Sequence, residues 1–146
     1  FNFATVHPID DFETERALVH SESSALLRAS GVSVEQDPSV VDLLVTLFRE
    51  LRTGFTERGT PVERLSSVMS TAEAVSLAHA TGIRGWYLRG DSGTIGDLAE
   101  SLAGTATKDN AEDAARLRRY IEQRAAHRQD SAWRDLREAH ARLVGP

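Results

Sequence analysis

Histidine is the residue type that first invites a search for chemistry, because the sequence holds five histidines and no cysteine. They are His7, His20, His79, His127 and His140. No two of them have the i, i+4 spacing by which a helix presents two imidazoles to one zinc ion. The lack of cysteine excludes a disulfide framework, a thiol nucleophile and a thiolate-bound metal. The sequence therefore predicts no metal site.

Two glycine-containing stretches resemble phosphate-binding loops, since backbone amides near a helix start attract anions. They are 82–85 (Gly-Ile-Arg-Gly) and 90–94 (Gly-Asp-Ser-Gly-Thr). Neither contains the Gly-Lys-Ser/Thr element of a P-loop, and the one lysine of the chain is Lys108. The Gly-x-Ser-x-Gly signature of serine hydrolases is also absent. We interpret both stretches as helix ends and turns.

Paired carboxylates and paired aromatic residues have simple structural interpretations. Asp10-Asp11 and Glu112-Asp113 fall in predicted first turns of helices, where negative charge offsets the helix dipole. Trp86 and Tyr87 could stack on a base, but such a pair is more typical of a hydrophobic plug between helices. No self-contained active site follows from these residues.

The elements that would position these residues are mostly helices. Apolar spacing predicts about six of them, and therefore a mainly all-α fold. The predicted starts are Asp10, Asp37-Pro38, the capping box from Ser70 to Glu73, Thr94, Asn110 and Ser131. We expect the first helix to end at Gly31 and the third at Gly82, followed by an aromatic loop over 85–90. The second helix should be the most buried, because its own apolar residues cover most of its circumference.

Length and charge narrow the function classes. The chain has 146 residues and a net charge of −5, which suits one domain and disfavours a non-specific binder of nucleic acid. Its apolar runs are much shorter than the roughly 20 residues that span a bilayer. Residues 1–6 predict one strand without a partner, and the chain begins with Phe1 rather than Met. We therefore expect a piece of a longer protein.

Three segments of the chain resemble the C-terminal part of MoxR-like AAA+ ATPases. They are 1–13 (FNFATVHPIDDFE), 50–57 (ELRTGFTE) and 66–75 (SSVMSTAEAV). The most similar subgroup is the bacterial one associated with von Willebrand factor type A proteins. The resemblance implies that 1–7 is the last strand of a missing α/β core. It also implies that 8–90 is the α-helical lid and 91–146 a C-terminal helical extension.

The resemblance also implies what the whole protein does. The parent would be a cytoplasmic ATP hydrolase that uses ATP and Mg, assembles as a homo-oligomeric ring and remodels protein partners. A von Willebrand factor type A protein is the implied partner, with no nucleic acid and no membrane. The Walker motifs would precede Phe1, so this chain should bind neither ATP nor Mg alone. It would contribute to closing the ATP site, without a catalytic residue of its own.

Six residues are the candidate nucleotide-binding set by this resemblance. His7, Pro8 and Ile9 match the stretch that links core and lid beside the adenine. Ser70 and Thr71 match the helix start that carries the second-sensor arginine, where this chain has Ala72 and Glu73. Either Arg64 replaces that arginine, or the lid acts mechanically.

Two other functions stay open at this stage. The chain could be a stand-alone helical interaction module with Trp133 as its anchor. Alternatively, the arginine-rich stretch 116–142 could bind DNA, which the net charge disfavours.

Overall fold

The computed structural model describes residues 11–66, 70–105, 110–127 and 130–144 of the chain. The described part contains six helices, which confirms the all-α class. They are α1 (Phe12–Ala29), α2 (Pro38–Thr53), α3 (Thr71–Arg89), α4 (Ile95–Thr105), α5 (Ala111–His127) and α6 (Ser131–Val144). The strand predicted over 1–6 lies outside the described residues.

The first three helices run in alternating directions. Glu15 near the start of α1 bonds Thr71 at the start of α3, while Ser30 after α1 bonds His79 further along α3. Those two contacts show that α1 and α3 run in the same direction. Arg49 near the end of α2 also bonds Glu15, so α2 runs opposite to both. We call the end that holds Glu15 the upper end.

One hydrophobic core joins all six helices. As predicted, α2 is the most buried element, with nine buried residues. The α3, α4 and α6 helices pack on it, and α5 packs on α6. Leu98, Leu102 and Leu136 from α4 and α6 are fully buried in the same cluster as Leu44 of α2. The hydrophobic core thus continues across residue 90. The division of the chain at that residue into a lid and an extension therefore stays a prediction about function.

The predicted end of α3 at Gly82 is wrong, because the helix continues through Gly82 and Gly85 to Arg89. These glycines provide space rather than a turn. A Cβ on Gly82 would lie 2.7 Å from Leu27 Cδ1, and one on Gly85 would lie 2.6 Å from the Ser92 carbonyl oxygen. The predicted aromatic loop is thus helix.

Side-chain exposure corrects one further prediction. Tyr87 is 76% exposed and cannot be a plug between helices. On the last helix, Trp133, Leu136 and His140 are buried, whereas Leu143 is 38% exposed.

Local capping chemistry explains where most helices begin. Asp37 accepts from the Ser39 amide at 2.9 Å with Pro38 in the first turn, as predicted. The predicted cap at Asn110 is confirmed by its 2.9 Å bond from the Asp113 amide. At α1 the cap is Asp11 rather than Asp10, since Asp11 accepts from the Thr14 amide at 3.1 Å.

No described helix is long and apolar enough to cross a membrane.

Candidate functional site

The described members of the predicted nucleotide-binding set are Arg64, Ser70 and Thr71. Ser70 and Thr71 form the start of α3 at the upper end of the bundle. Arg64 belongs to the connection between α2 and α3. His7, Pro8 and Ile9 lie outside the described residues.

Ser70 uses its hydroxyl group to begin α3. Its Oγ accepts from the Glu73 amide at 3.1 Å and donates to Glu73 Oε1 at 3.0 Å. Glu73 Oε1 in turn accepts from the Ser70 amide at 3.4 Å. The capping box satisfies backbone donors that a helix start otherwise leaves unpaired. It also engages the Ser70 hydroxyl both as donor and as acceptor.

Thr71 is partly exposed and bonds a buried carboxylate. Its Oγ1 donates to Glu15 Oε2 at 2.8 Å. Glu15 Oε1 accepts from Arg49 Nη1 and from Arg52 Nη2, each at 2.9 Å. We call these four residues the Glu15 cluster. It joins α1, α2 and α3 through one carboxylate.

The environment keeps the Glu15 carboxylate ionised. Its side chain is fully buried, and burial alone would raise its pKa. Hydrogen bonds from Arg52, Thr71 and Arg49 outweigh that effect and hold the pKa of Glu15 below its ordinary value. The carboxylate therefore remains an acceptor for all three donors at neutral pH.

Sequence reasoning missed Glu15, Arg49 and Arg52. A usable signal was present, because Arg49 and Arg52 stand three residues apart in the most apolar helix. Residues at that spacing share a helix face, so two arginines on it predict a buried acidic partner. The identity of that partner depended on tertiary packing between α1 and α2.

The connection that carries Arg64 is a hairpin followed by an extended segment. Phe55 and Pro61 form an isolated antiparallel bridge, and the Val62 amide donates to the Gly54 carbonyl at 2.9 Å. Gly54 has φ +84°, which ends α2 in a left-handed conformation. We call 54–62 the hairpin.

Arg64 itself packs against the end of α2. Its Cγ lies only 3.0 Å from the point that a Cβ on Gly54 would occupy, and the residue as a whole is exposed. The structure therefore leaves its guanidinium group accessible at the upper end.

Asp113 lies in the first turn of α5, as predicted, and it also fixes the far end of this connection. Asp113 is fully buried and accepts from the Ser66 amide at 2.9 Å and from Ser66 Oγ at 2.7 Å. Arg116 Nη1 donates to it at 3.0 Å. Asp113 thus ties the connection to α5.

A second buried cluster attaches the last two helices to α2. Glu50 accepts from Tyr120 Oη at 2.7 Å and from Arg124 Nη2 at 3.2 Å. Arg124 also lies 5.3 Å from the Trp133 ring centre, a cation–π contact. Burial and the neighbouring Glu50 charge raise the pKa of Tyr120 well above its ordinary value, so it remains a donor.

Two grooves flank the hairpin at the upper end. The groove of about 580 Å³ lies between the hairpin and α5, with Arg124 and His127 in its wall. The groove of about 490 Å³ lies between the hairpin, the start of α1 and α2, and it includes Phe12 and Phe55. Within the described ranges, no group of three or more histidine and carboxylate side chains is placed to hold a metal ion.

Comparisons with known proteins identify the family. A family model described as the YehL-like AAA+ ATPase C-terminal domain matches residues 13–144. The chain is also 48% identical over 143 residues to the uncharacterized protein YehL of Escherichia coli strain K12. That match covers 98% of this chain but 39% of the relative, so the chain spans well under half of the relative's length. No solved structure matches. Because the family model covers nearly the whole chain, the chain belongs to the YehL-like AAA+ ATPase C-terminal domain family.

Proposed function

We propose that this chain is the lid and helical extension of a MoxR-like AAA+ ATPase. In this proposal it helps to close the ATP site of the parent protein, supports assembly of a homo-oligomeric ring and assists the remodelling of a protein partner. Membership of an AAA+ ATPase C-terminal domain family supports the ATPase part. The resemblance to the subgroup associated with von Willebrand factor type A proteins suggests the partner class.

The Glu15 cluster is the observation that carries the proposal. A lid can control a nucleotide site only if the helix that approaches the phosphates keeps a fixed orientation. Here Thr71 is the first residue of α3 and is bonded through Glu15 to both α1 and α2. Movement of α1 therefore carries the start of α3 with it.

The described residues favour a positioning role for the α3 start over direct side-chain binding. The hydroxyl groups of Ser70 and Thr71 are already engaged by Glu73 and Glu15. Arg64 is the accessible cation of the predicted set and would stabilise charge on a transferred phosphoryl group. His7, Pro8 and Ile9 remain candidates for contact with the adenine. ATP and Mg would be bound chiefly by the rest of the parent protein, in the cytoplasm.

The test uses the full-length protein that carries this chain. Replacing the lysine of its expected Gly-x-x-x-x-Gly-Lys-Thr motif should abolish ATP turnover. Thr71→Val should lower kcat by about tenfold to a hundredfold, since it removes the bond that orients α3 and a misplacement of about 1 Å can cost about a hundredfold. Thr71→Ser keeps the hydroxyl group and should retain activity. If turnover survives the lysine substitution, the proposed function is wrong.

Arg64 is tested against a matched arginine of the same connection. Arg64→Ala should lower kcat if Arg64 faces the phosphates, whereas Arg58→Ala, at an exposed position of the hairpin, should not. Equal activity of the two variants would establish the purely mechanical alternative.

The alternative of a stand-alone interaction module lacks its predicted anchor. Trp133 is only 2% exposed and packs edge to face on Tyr120, with ring centres 5.8 Å apart. A side chain so placed cannot enter the groove of a partner.

A further inference from the structure

The helix α5 lies along the connection between α2 and α3 and bonds it on either side of Arg64. Asp113, in the first turn of α5, accepts from the Ser66 amide at 2.9 Å and from Ser66 Oγ at 2.7 Å. Further along α5, Arg119 donates to both carboxylate oxygens of Glu63, at 2.9 and 3.1 Å. Because a later residue of α5 bonds an earlier residue of the connection, the two segments run in opposite directions.

The neighbours of Arg64 in the sequence leave its backbone little freedom. Val62 and Leu65 are buried in the hydrophobic core, which fixes the side of the segment that faces the bundle. The stem of Arg64 crosses Gly54, with its Cγ and Cδ at 3.0 and 3.1 Å from the point that a Cβ would occupy. Arg64 is thus an exposed cation on a segment that is fixed on both sides.

The contact at Ser66 is the stronger of the two anchors on α5. The side chains of Glu63 and Arg119 are 55% and 58% exposed, so solvent screens their ion pair. Asp113 is fully buried, and it accepts from both the amide and the hydroxyl group of Ser66. Hydrogen bonds to an ionised acceptor are stronger than those between neutral groups. Asp113 therefore fixes the backbone two residues after Arg64.

We propose that Asp113 is a positioning residue for Arg64. Through its bonds to Ser66, it holds Arg64 where the guanidinium group reaches the phosphates of a nucleotide bound by the parent protein. This inference rests on the proposed function and on Arg64 as the cation that acts there. It adds a task for the predicted helical extension, since α5 belongs to that part of the chain. Asp113 acts only through the connection and is not a catalytic residue.

ATP turnover by the full-length protein tests the proposal with Asp113→Asn and Ser66→Ala. The first variant removes the charge that accepts from Ser66, and the second removes only the hydroxyl bond. They should lower kcat about tenfold and about threefold, because a misplacement of about 1 Å can cost about a hundredfold. The KM for ATP should stay within about twofold of wild type, since an interaction made only in the transition state changes kcat and kcat/KM equally.

Two further variants are the controls. Ser66→Thr keeps a hydroxyl group and should turn over ATP as wild type does. Glu112→Gln changes the adjacent carboxylate in the same first turn of α5, whose side chain is 79% exposed, and it should leave kcat unchanged. If Asp113→Asn does not fold, Ser66→Ala decides the result, because Ser66 is exposed and its side chain is small.

The same substitutions in an Arg64→Ala background show whether they act through Arg64. We expect Asp113→Asn and Ser66→Ala to lower kcat less than about twofold further there, since residues that act as one unit are not additive. A role in folding alone would lower activity by the same factor in both backgrounds, and this result would overturn the proposal. So would an unchanged kcat in Arg64→Ala, because Asp113 would then have no cation to position.

Failure of this inference and failure of the proposed function give different results. Loss of turnover on substitution of the Gly-Lys-Thr lysine, together with additive effects of Asp113→Asn and Arg64→Ala, would keep the ATPase proposal and refute the positioning role. If turnover survives the lysine substitution, the proposed function is wrong and this inference fails with it.

Discussion

At the residue scale, Glu15 connects more elements than any other described side chain at the upper end. We predict that Glu15→Gln lowers the free energy of unfolding by about 3 kcal/mol, because Arg49 and Arg52 then lose the buried charge that they share. Glu13→Gln is the control, since Glu13 is exposed and a surface ion pair such as the one it makes with Arg16 contributes little to stability. Urea denaturation of both variants measures the difference. Equal losses would contradict the role of the cluster.

His140 predicts how stability depends on pH. Burial is the main cause that lowers the pKa of His140 below its ordinary value near 6.5, and Arg118 lowers it further against the opposing effect of Glu122. Below pH 6.5 the unfolded chain therefore binds a proton that the folded chain resists. The contribution of His140 is present above pH 6.5 and is lost as the pH falls toward the pKa of the folded state.

Denaturation curves at pH 7.5 and pH 5.5 check this sign. We expect wild type to lose stability at the lower pH and His140→Gln to lose less, since glutamine does not titrate. His127→Gln, at an exposed position, should behave as wild type. An identical pH effect in wild type and His140→Gln would refute the prediction.

At the scale of elements, the sequence predicted the features that depend only on residues close together in the chain, such as helix caps. The caps at Asp37 and Ser70 are local chemistry and were correct. The predicted end of α3 was wrong. Gly82 and Gly85 allow other segments to pack closely on the helix, and this packing is seen only in the folded structure. Tertiary packing overrides the weak helix propensity of glycine in such cases.

This explanation predicts opposite effects for two helical glycines. Gly85→Ala should lower the melting temperature, because steric overlap with the backbone of Ser92 and Gly93 costs about 1–3 kcal/mol, against a gain of at most about 1 kcal/mol in helix propensity. Gly104→Ala should raise it slightly, since nothing lies within 4 Å of the added methyl group. Thermal unfolding monitored by circular dichroism compares them. A rise for both variants would show that the contact at Gly85 is not tight.

The candidate site was predictable in part for the same reason. The family resemblance named Ser70 and Thr71 at a helix start and Arg64 in the preceding connection, and binding of a nucleotide by these residues stays a prediction. Glu15, the carboxylate that accepts from Thr71, lies 56 residues before it in the chain. A single sequence carries no signal for a pair at that separation.

At the scale of the whole molecule, the shared core predicts that the lid cannot fold without the extension. A chain that ends at Gly90 lacks Leu98, Leu102 and Leu136, all of which are fully buried in the complete chain. We expect this truncated chain to lose cooperative urea unfolding, while the complete chain unfolds in one transition. A truncated chain with a sharp transition at the same urea concentration would contradict this expectation.

The shared carboxylate at the upper end also has a mechanical consequence. Tension applied to the polypeptide at Asp11 reaches Glu15 within about one helical turn, before it reaches most of the apolar contacts of α1. Because Glu15 is bonded to Arg49, Arg52 and Thr71, the load is divided at once among three helices. Pulling on this domain should therefore displace the first turn of α3 as one unit with α1, instead of peeling α1 away from its neighbours.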